Sequence, residues 1–186
     1  VPEEANSDAI LQAWYGGERG GQAVAEILFG DVNPCGKLPL TFYKNVEQLP
    51  EYENYSMEGR TYRYFRGEPL YDFGYGLSYT TFDYGKPKFN QKKLSMTVNV
   101  KNTGRMDGTE VVQLYLKRVA DAEGPIKSLR GYQRVALKQG ESKDVTIRMN
   151  RDDFETWDAQ TNTMRVVPGK YQLMVGSSSR AQDLQT

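Results

Sequence analysis

The second half of the chain alternates apolar and polar residues with a period of two. "KLSMTVNVKN" (93–102) sets Leu94, Met96, Val98 and Val100 against polar neighbours. Four later segments show similar alternation: "EVVQLYLKR" (110–118), Tyr132–Leu137, "SKDVTIRMN" (142–150) and "GKYQLMVGSSS" (169–179). Alternation over short runs is typical of strands with one buried face. Because Gly, Asn and Asp turns separate the runs, we predict an antiparallel β-sandwich over residues 86–186.

The first 44 residues have a different pattern. Asp8 is a candidate N-cap for a helix carrying Ile10, Leu11 and Trp14, and "GQAVAEILFG" predicts a second helix ending at Gly30. "KLPLTFY" (37–43) predicts a short strand. These elements bury too little apolar surface to offset the ordering entropy of the segment. We therefore predict the incomplete tail of an α/β domain over residues 1–44, with an exposed apolar patch that promotes association or leaves the segment mobile.

Residues 45–85 lack a clear period and are rich in tyrosine and glycine. Only "RTYRYF" (60–65) resembles a strand. "DFGYGLSYTTFDYG" (72–85) contains three glycines, three tyrosines and two phenylalanines. Glycines permit close backbone approach, and aromatic side chains bury large areas without regular structure.

Composition excludes several classes of function. Lysine plus arginine and aspartate plus glutamate both number 24, so the chain has no charge bias towards nucleic acid. No apolar run is long enough to span a membrane, and the first residues do not resemble a signal peptide. With no histidine and one cysteine, we expect no metal centre, no cofactor and no Ser-His or Cys-His nucleophile.

Few residues stand out as candidates for chemistry. Trp14 and Trp157 could stack on sugar rings, but their positions favour a core or interface role for Trp14 and a sandwich-core role for Trp157. Cys35 follows a proline in a turn and is expected to be a small buried residue. "GGERGGQAV" (16–24) could cradle a phosphate, although it lacks the P-loop residues and a structural turn is favoured. The 24 acidic residues offer no spacing that identifies a catalytic pair.

Several of these segments resemble one known family in their order along the chain. "AILQAWYGGERGGQAVAEILFGDVNPCGKLPLTFY", "EGRTYRYF" and "PLYDFGYGLSYTTFDY" are similar to the C-terminal region of family-three glycoside hydrolases, the β-glucosidase and β-xylosidase group. "NTGRMDGTEVVQLYL", "LRGYQRVALKQGES" and "GKYQLMVGSSS" resemble the fibronectin type III-like domain that ends many of these enzymes. The resemblance covers roughly residues 9 to 180.

The resemblance implies a mainly β chain with three parts: the tail of an α/β sandwich domain (1–44), an inter-domain connector (45–85) and a fibronectin type III-like β-sandwich (86–186). It also implies that an Asp nucleophile and a Glu acid/base lie upstream of Val1. Glu18, Glu26 and Glu58 do not occupy the acid/base position. No residue of this chain is therefore expected to be catalytic, although residues 51 to 66 could edge the pocket.

The function implied is that of an accessory or structural part of an exo-acting retaining β-glycosidase, with β-glucosidase favoured. Its partners would be the upstream catalytic domains, and its substrate an oligosaccharide or aryl glycoside, in a periplasmic or secreted protein. The alternative is a free-standing carbohydrate-binding or protein-interaction module. The incomplete α/β tail disfavours that alternative, because a stand-alone module would not need it.

Overall fold

The computed structural model describes residues 6–186. Its two α-helices are α1 (Gly20–Leu28) and α2 (Thr61–Tyr64), and three short 3-10 turns occur at Val46–Gln48, Arg151–Phe154 and Ala181–Asp183. The strands are β1 (Phe82–Tyr84), β2 (Lys88–Asn90), β3 (Ser95–Asn102), β4 (Gly108–Arg118), β5 (Ser128–Leu137), β6 (Ser142–Arg148), β7 (Glu155–Asp158), β8 (Thr163–Val166), β9 (Tyr171–Gly176) and β10 (Leu184–Gln185). No helix among these residues is long and apolar enough to cross a membrane.

The strands form two four-stranded antiparallel sheets and a separate ribbon. In the first sheet, β3 pairs with β1 and β2 along one edge and with β6 along the other. The second sheet has the order β10-β9-β4-β5. Strands β7 and β8 pair only with each other. The predicted antiparallel β-sandwich is confirmed, and its first strand begins at Phe82 within the aromatic stretch.

The core lies between the two sheets and contains the residues that the alternation assigned to the inner faces. Val112 and Leu114 of β4 are fully buried, as are Val98 and Val100 of β3. Val145, Ile147 and Met149 pack into the same cluster, together with Val135, Leu137 and Val175. Burial of this aliphatic surface is the main stabilising contribution to the sandwich.

Three predicted elements of the first 65 residues are wrong in type. Residues 9–15 contain no helix, and Trp14 has a φ of 52°, which a right-handed helix does not accept. The segment "KLPLTFY" makes only an isolated bridge, between Phe42 and Tyr71. "RTYRYF" contains the helical turn α2 rather than a strand. Short elements of this kind need tertiary packing, and the described chain offers them no adjoining sheet.

The second helix, by contrast, is confirmed as α1 and ends before Gly30, which has a φ of 82°. A left-handed residue at this point suits glycine and terminates the helix. None of the α1 residues is fully buried. The helix therefore lies on the surface of the described chain and presents apolar side chains to solvent.

Replacing Leu114 by alanine should test the sandwich core. We expect Leu114→Ala to lower the free energy of unfolding by about 2–5 kcal/mol, because it removes a fully buried side chain and leaves a cavity. Leu28→Ala, at a position 66% exposed, is the matched control and should change it by less than about 0.5 kcal/mol. Chemical denaturation measures both variants, and equal effects would contradict this core assignment.

Candidate functional site

The second sheet is covered on its outer face by the aromatic connector. Alternation would place Gln113 and Tyr115 of β4 on the solvent side, yet their exposed fractions are 3% and 0%. The Phe73 ring stacks on Tyr62 with a centroid separation of 4.2 Å, and Tyr62 meets Tyr115 edge to face at 6.0 Å. The Tyr62 hydroxyl also accepts a hydrogen bond from the Leu129 amide, at 3.0 Å. The connector therefore adds a packed layer to the sandwich.

Gln113 is the polar centre of this covering layer. Its side-chain amide donates to the carbonyls of Gly74, at 3.1 Å, and Ser177, at 2.5 Å. Its Oε1 accepts from the Tyr115 hydroxyl at 2.6 Å. Gly74 has a φ of 78°, and a Cβ at this position would overlap Oε1 of Gln113. Glycine is required at residue 74 for both backbone conformation and close approach.

The chain before the connector, residues 6–44, is hydrogen-bonded to the same stretch of connector, and we call it the front segment. The Leu38 amide donates to the Tyr75 carbonyl at 2.8 Å, and the Gly74 amide donates to the Leu38 carbonyl at 2.7 Å. A Cβ on Gly76 would overlap the carbonyl oxygen of Gly36. The "GYG" at residues 74–76 thus lies between the front segment and the sandwich. Its backbone contacts the front segment on one side and the Gln113 side chain on the other.

Lys37 extends this contact to the start of β4. Its Nζ donates to the Gly76 carbonyl at 2.9 Å and lies 3.1 Å from Oε1 of Glu110. The Lys37 and Glu110 side chains are only 14% and 6% exposed. Burial raises the pKa of the Glu110 carboxyl, and the nearby Lys37 ammonium opposes that rise. The pair joins the front segment to the sandwich in a largely water-free environment.

Asn33 makes a second polar connection between these parts. Its Oδ1 accepts from the Ser78 hydroxyl and from the Tyr79 amide, each at 2.9 Å. Its Nδ2 donates to the Asp107 carbonyl at 2.9 Å, in the turn before β4. One side chain of the front segment therefore holds the end of the connector and a sandwich turn together.

Beside these contacts, the front segment and Leu77 of the connector form an exposed apolar surface. We call it the apolar face, and its members are Ile10, Leu11, Trp14, Leu28, Phe29, Val32, Leu40 and Leu77, each at least 39% exposed. Part of this face borders a groove of about 480 Å³ whose lining includes Phe42 and Tyr71. The Trp14 ring lies 6.5 Å from that of Phe42. Apolar exposure on this scale marks an interaction surface.

The remaining predicted candidates have ordinary environments. Trp157 lies on β7 and is 56% exposed, so the prediction that it fills the sandwich core is wrong; the β7–β8 ribbon lies outside both core sheets. Cys35 is a free, half-buried thiol whose Sγ accepts from the Arg134 guanidinium at 3.0 Å. Glu26 accepts from Gln22, while Glu18 and Glu58 are exposed. Within residues 6–186, no cluster of three or more His, Cys, Asp or Glu side chains could hold a metal ion.

We call the contact between the front segment, the connector and the sandwich the junction, and sequence reasoning missed the residues that form it. Asn33 and Lys37 lie in irregular chain, whereas Glu110 and Gln113 lie within β4. Nothing in the spacing of these four polar residues links them. The one available signal was the pair of glycines at 74 and 76. These glycines indicated a close backbone contact but did not identify the residues on the other side of it.

Two family models match the chain, one over its first part and the other over the sandwich. The glycosyl hydrolase family 3 C-terminal domain matches residues 1–79, and the fibronectin type III-like domain matches residues 110–179. The chain belongs to the C-terminal region of glycosyl hydrolase family 3. The resemblance of the motifs is thereby confirmed.

Named relatives agree with this assignment over almost the whole chain. The chain is 51% identical to a xylan 1,4-beta-xylosidase from Xylanibacter ruminicola, covering 98% of this chain and 22% of that protein. It is 38% identical to a periplasmic beta-glucosidase from Salmonella typhimurium, covering 96% of this chain and 26% of that protein. The chain thus spans about a quarter of the length of the curated relatives it matches.

Solved structures show the same fold. A β-glucosidase from Erythrobacter marinus superposes with a TM-score of 0.82 at 43% identity, over 98% of this chain and 25% of that one. A Bifidobacterium adolescentis β-glucosidase gives a TM-score of 0.87 at 32% identity, over 98% of this chain and 29% of that one. The front segment, connector and sandwich therefore recur together in larger proteins of this family.

Gly74→Ala should disrupt the covering layer. We expect the free energy of unfolding to fall by about 2–4 kcal/mol, because a Cβ adds left-handed strain and displaces a buried amide from its partners. Gly17→Ala is the control, since a Cβ there meets nothing within 4 Å. Denaturant unfolding of the two variants gives the comparison, and a Gly74→Ala protein as stable as the parent would refute the requirement for glycine.

Lys37→Met should produce a pH-dependent loss of stability. At neutral pH we expect a loss of about 3 kcal/mol, because Glu110 is left buried without its counter-charge. The change also moves the folded-state pKa of Glu110 further above its unfolded value. Between those two pKa values the native state binds more protons, so stability falls as pH rises through that window and recovers as pH falls.

Thermal melting between about pH 5 and pH 8 checks this sign, because a glutamate of ordinary pKa, about 4.3, is already ionised throughout that range. Lys143→Met is the control, since it removes the exposed partner of Glu141 and should lower stability far less than Lys37→Met does. A Lys37→Met deficit that grows towards acid would contradict the assignment.

Proposed function

We propose that this chain is the C-terminal accessory and structural part of an exo-acting retaining β-glycosidase that hydrolyses terminal non-reducing β-linked sugars. The apolar face is the observation that carries the proposal. A family 3 segment that leaves Trp14, Leu28 and Phe29 in solvent needs a covering layer of comparable apolar surface. The upstream catalytic domains of the same polypeptide are the partner whose chemistry fits this requirement.

In this proposal the chain itself performs no bond cleavage. The Asp nucleophile and Glu acid/base belong to the upstream domains, and a glycosyl-enzyme intermediate forms on that Asp before water releases the sugar. The role of this chain is to brace those domains. The buried Lys37–Glu110 pair and the Asn33 contacts keep the apolar face in a fixed position relative to the sandwich.

The names of the relatives support glucosides and xylosides as substrates. β-Xylosidases match at 51% and 40% identity, and β-glucosidases at 37–39% among the curated relatives and up to 43% among solved structures. Glucose and xylose pyranosides differ only in the hydroxymethyl group at C5. We propose β-glucosidase or β-xylosidase activity for the whole protein. We also propose a periplasmic or secreted location, with support from the name of the Salmonella relative.

The segment 51–66 is suited to edge a substrate pocket. The Arg60 guanidinium donates to the carbonyls of Asn54 and Ser56, which orders the loop. The loop nevertheless leaves Tyr52 and Tyr55 at 94% and 92% exposure. Ordered and exposed aromatic rings are suited to contact an aglycone or a second sugar.

The same two tyrosines support the second candidate function, a free-standing carbohydrate-binding or protein-interaction module. That function requires saturable binding of a glucan or xylan that Tyr52→Ala weakens. It gives no role to the apolar face, which a stand-alone module would have to leave in water.

Activity can be measured for the chain alone and for a chimera in which this chain replaces the matching C-terminal part of the Xylanibacter relative. We expect the chain alone to leave aryl β-glucosides and β-xylosides intact, and the chimera to hydrolyse at least one of them. Placing a charge on the apolar face by Trp14→Asp should lower chimera activity at least tenfold, about 1.4 kcal/mol or more, by disturbing domain contact. Turnover by the chain alone, above a buffer control, would refute the proposal.

Tyr132→Asp serves as the control for the chimera, since Tyr132 is 65% exposed on β5 and lies outside the apolar face. It should leave activity within about twofold of the parent chimera, as expected for a surface change within about 0.5 kcal/mol. Equal losses in the two variants would show that the apolar face has no special role.

A further inference from the structure

A cleft at the end of the second sheet where β4 terminates contains guanidinium groups without counter-charges. It has a volume of about 380 Å³ and lies among the ends of β4, β5 and β9, the helix α2 and the β7–β8 ribbon. Arg63, Arg118 and Arg130 line it, with Asp121 and Glu155 as the only carboxylates of the lining. Three arginines against two carboxylates leave one net positive charge.

The sheet directs Arg130 into this cleft by an irregularity in its pairing. Leu114 of β4 is opposite Gly131, but the next residue, Tyr115, is opposite Leu129. Arg130 is therefore the extra residue of a β-bulge. Bulges re-aim one side chain and are common beside functional sites. Here the bulge lies next to Tyr115, beneath the connector.

Two of the three guanidiniums have no acidic partner. Arg118 is neutralised by Asp121, whose Oδ2 accepts from Nε at 3.1 Å and Nη2 at 2.5 Å. Within residues 6–186, neither Arg63 nor Arg130 forms an ion pair, and the Nε atoms of both are buried without a hydrogen-bond acceptor. In the described part of the chain, the one side-chain hydrogen bond of Arg130 is a long 3.4 Å contact to the Glu155 carbonyl.

A buried guanidinium N–H without an acceptor is costly, and Arg63 and Arg130 each have one at Nε, so this arrangement favours an acceptor-rich anion as ligand. Guanidinium forks match carboxylates in a bidentate geometry. The backbone of Arg63 is held in place, because its carbonyl accepts from the Ile126 amide at 2.7 Å. The site is therefore partly organised before any ligand arrives.

Aromatic side chains at the same cleft indicate what carries the carboxylate. Trp157 and Tyr64 line it, and the Trp157 ring is 56% exposed. A flat indole beside the cleft offers a stacking surface for the apolar face of a pyranose, with the arginines placed to bind a carboxylate. A small inorganic anion would use the arginines and leave the indole in water.

We propose that this cleft binds a carboxylated sugar, a uronic acid residue on an oligosaccharide, through Arg63 and Arg130 with Trp157 stacked on the ring. The saccharide class rests on the proposed function, whereas the preference for a carboxylate rests on the cleft alone. The cleft would hold acidic side branches of a polysaccharide and is distinct in composition from the apolar face. It gives the β-sandwich a ligand of its own.

Calorimetric titration of the chain with xylotriose bearing a glucuronic acid branch tests the proposal, with unbranched xylotriose as the neutral probe. We expect the acidic probe to bind at least tenfold more tightly than the neutral one, since hydrogen bonds to a charged group are stronger than those between neutral groups. Raising salt from about 50 to 500 mM should weaken only the acidic probe. Equal affinities, or no binding of the acidic probe, would overturn the proposal.

Substitutions in the cleft test which residues bind the acidic probe. Arg130→Gln should lower affinity for the acidic probe about tenfold and leave the neutral probe unchanged, as expected for loss of one charge-assisted hydrogen bond. Arg105→Gln, which removes an exposed guanidinium outside the cleft, is the matched control and should change neither. Trp157→Ala, at an exposed position, should weaken both probes and provides a second variant if Arg130→Gln does not fold. Unchanged affinity in both cleft variants would overturn the proposal.

Free acetate and glucuronate serve as competitors. Displacement of the acidic trisaccharide by glucuronate but not by equimolar acetate supports a sugar site, whereas equal displacement would show an adventitious anion site and overturn the sugar assignment. The readout is binding by the chain itself. An inactive chimera would therefore count against the proposed function and not against a carboxylate-selective cleft.

Discussion

The close approach of the connector to the sandwich is the constraint on which the rest of the structure depends. At Gly74 and Gly76 the backbone lies against a buried glutamine on one side and a carbonyl of the front segment on the other, with no room for a side chain. This contact buries both faces of β4, so the strand packs against the sandwich core on one face and against the connector on the other. Any side chain at these positions would separate the layers and expose the polar groups they satisfy.

The remaining organisation follows from that contact. Because the front segment is hydrogen-bonded through Leu38 and paired through Lys37, its apolar face has a fixed position although little of the segment is helix or strand. A fixed and unburied apolar face is suited to support a neighbouring domain, whereas a flexible tail would lose more entropy on docking. The accessory role proposed for the chain therefore has a physical basis in the junction, independent of the names of its relatives.

The sandwich could be predicted from the sequence because its core strands obey a local rule. Val98, Val112, Leu114 and Val145 alternate with polar residues, and one buried face suffices to produce that pattern. Helix α1 was also predictable, since apolar spacing and a terminal glycine occur together. The mainly β fold class followed from these segments.

The front segment and the junction were less predictable, for two physical reasons. Residues 9–15 have helical spacing, but spacing does not make a helix when no adjoining layer buries its apolar side. Gln113 and Tyr115 alternate as solvent-facing residues of a strand, yet the connector covers them, and that contact joins positions about 40 residues apart. The prediction that Trp157 fills the sandwich core was wrong because its strand belongs to a ribbon outside the core sheets.

Hydrogen exchange at the amides of Leu38 and Gly74 tests the central claim most directly. Both amides donate across the boundary between front segment and connector. If the junction is a stable part of the folded chain, these two amides should exchange as slowly as those of β4, while amides in residues 9–15 exchange rapidly. Exchange of Leu38 and Gly74 at the rate of an unfolded peptide, with β4 still protected, would contradict the account.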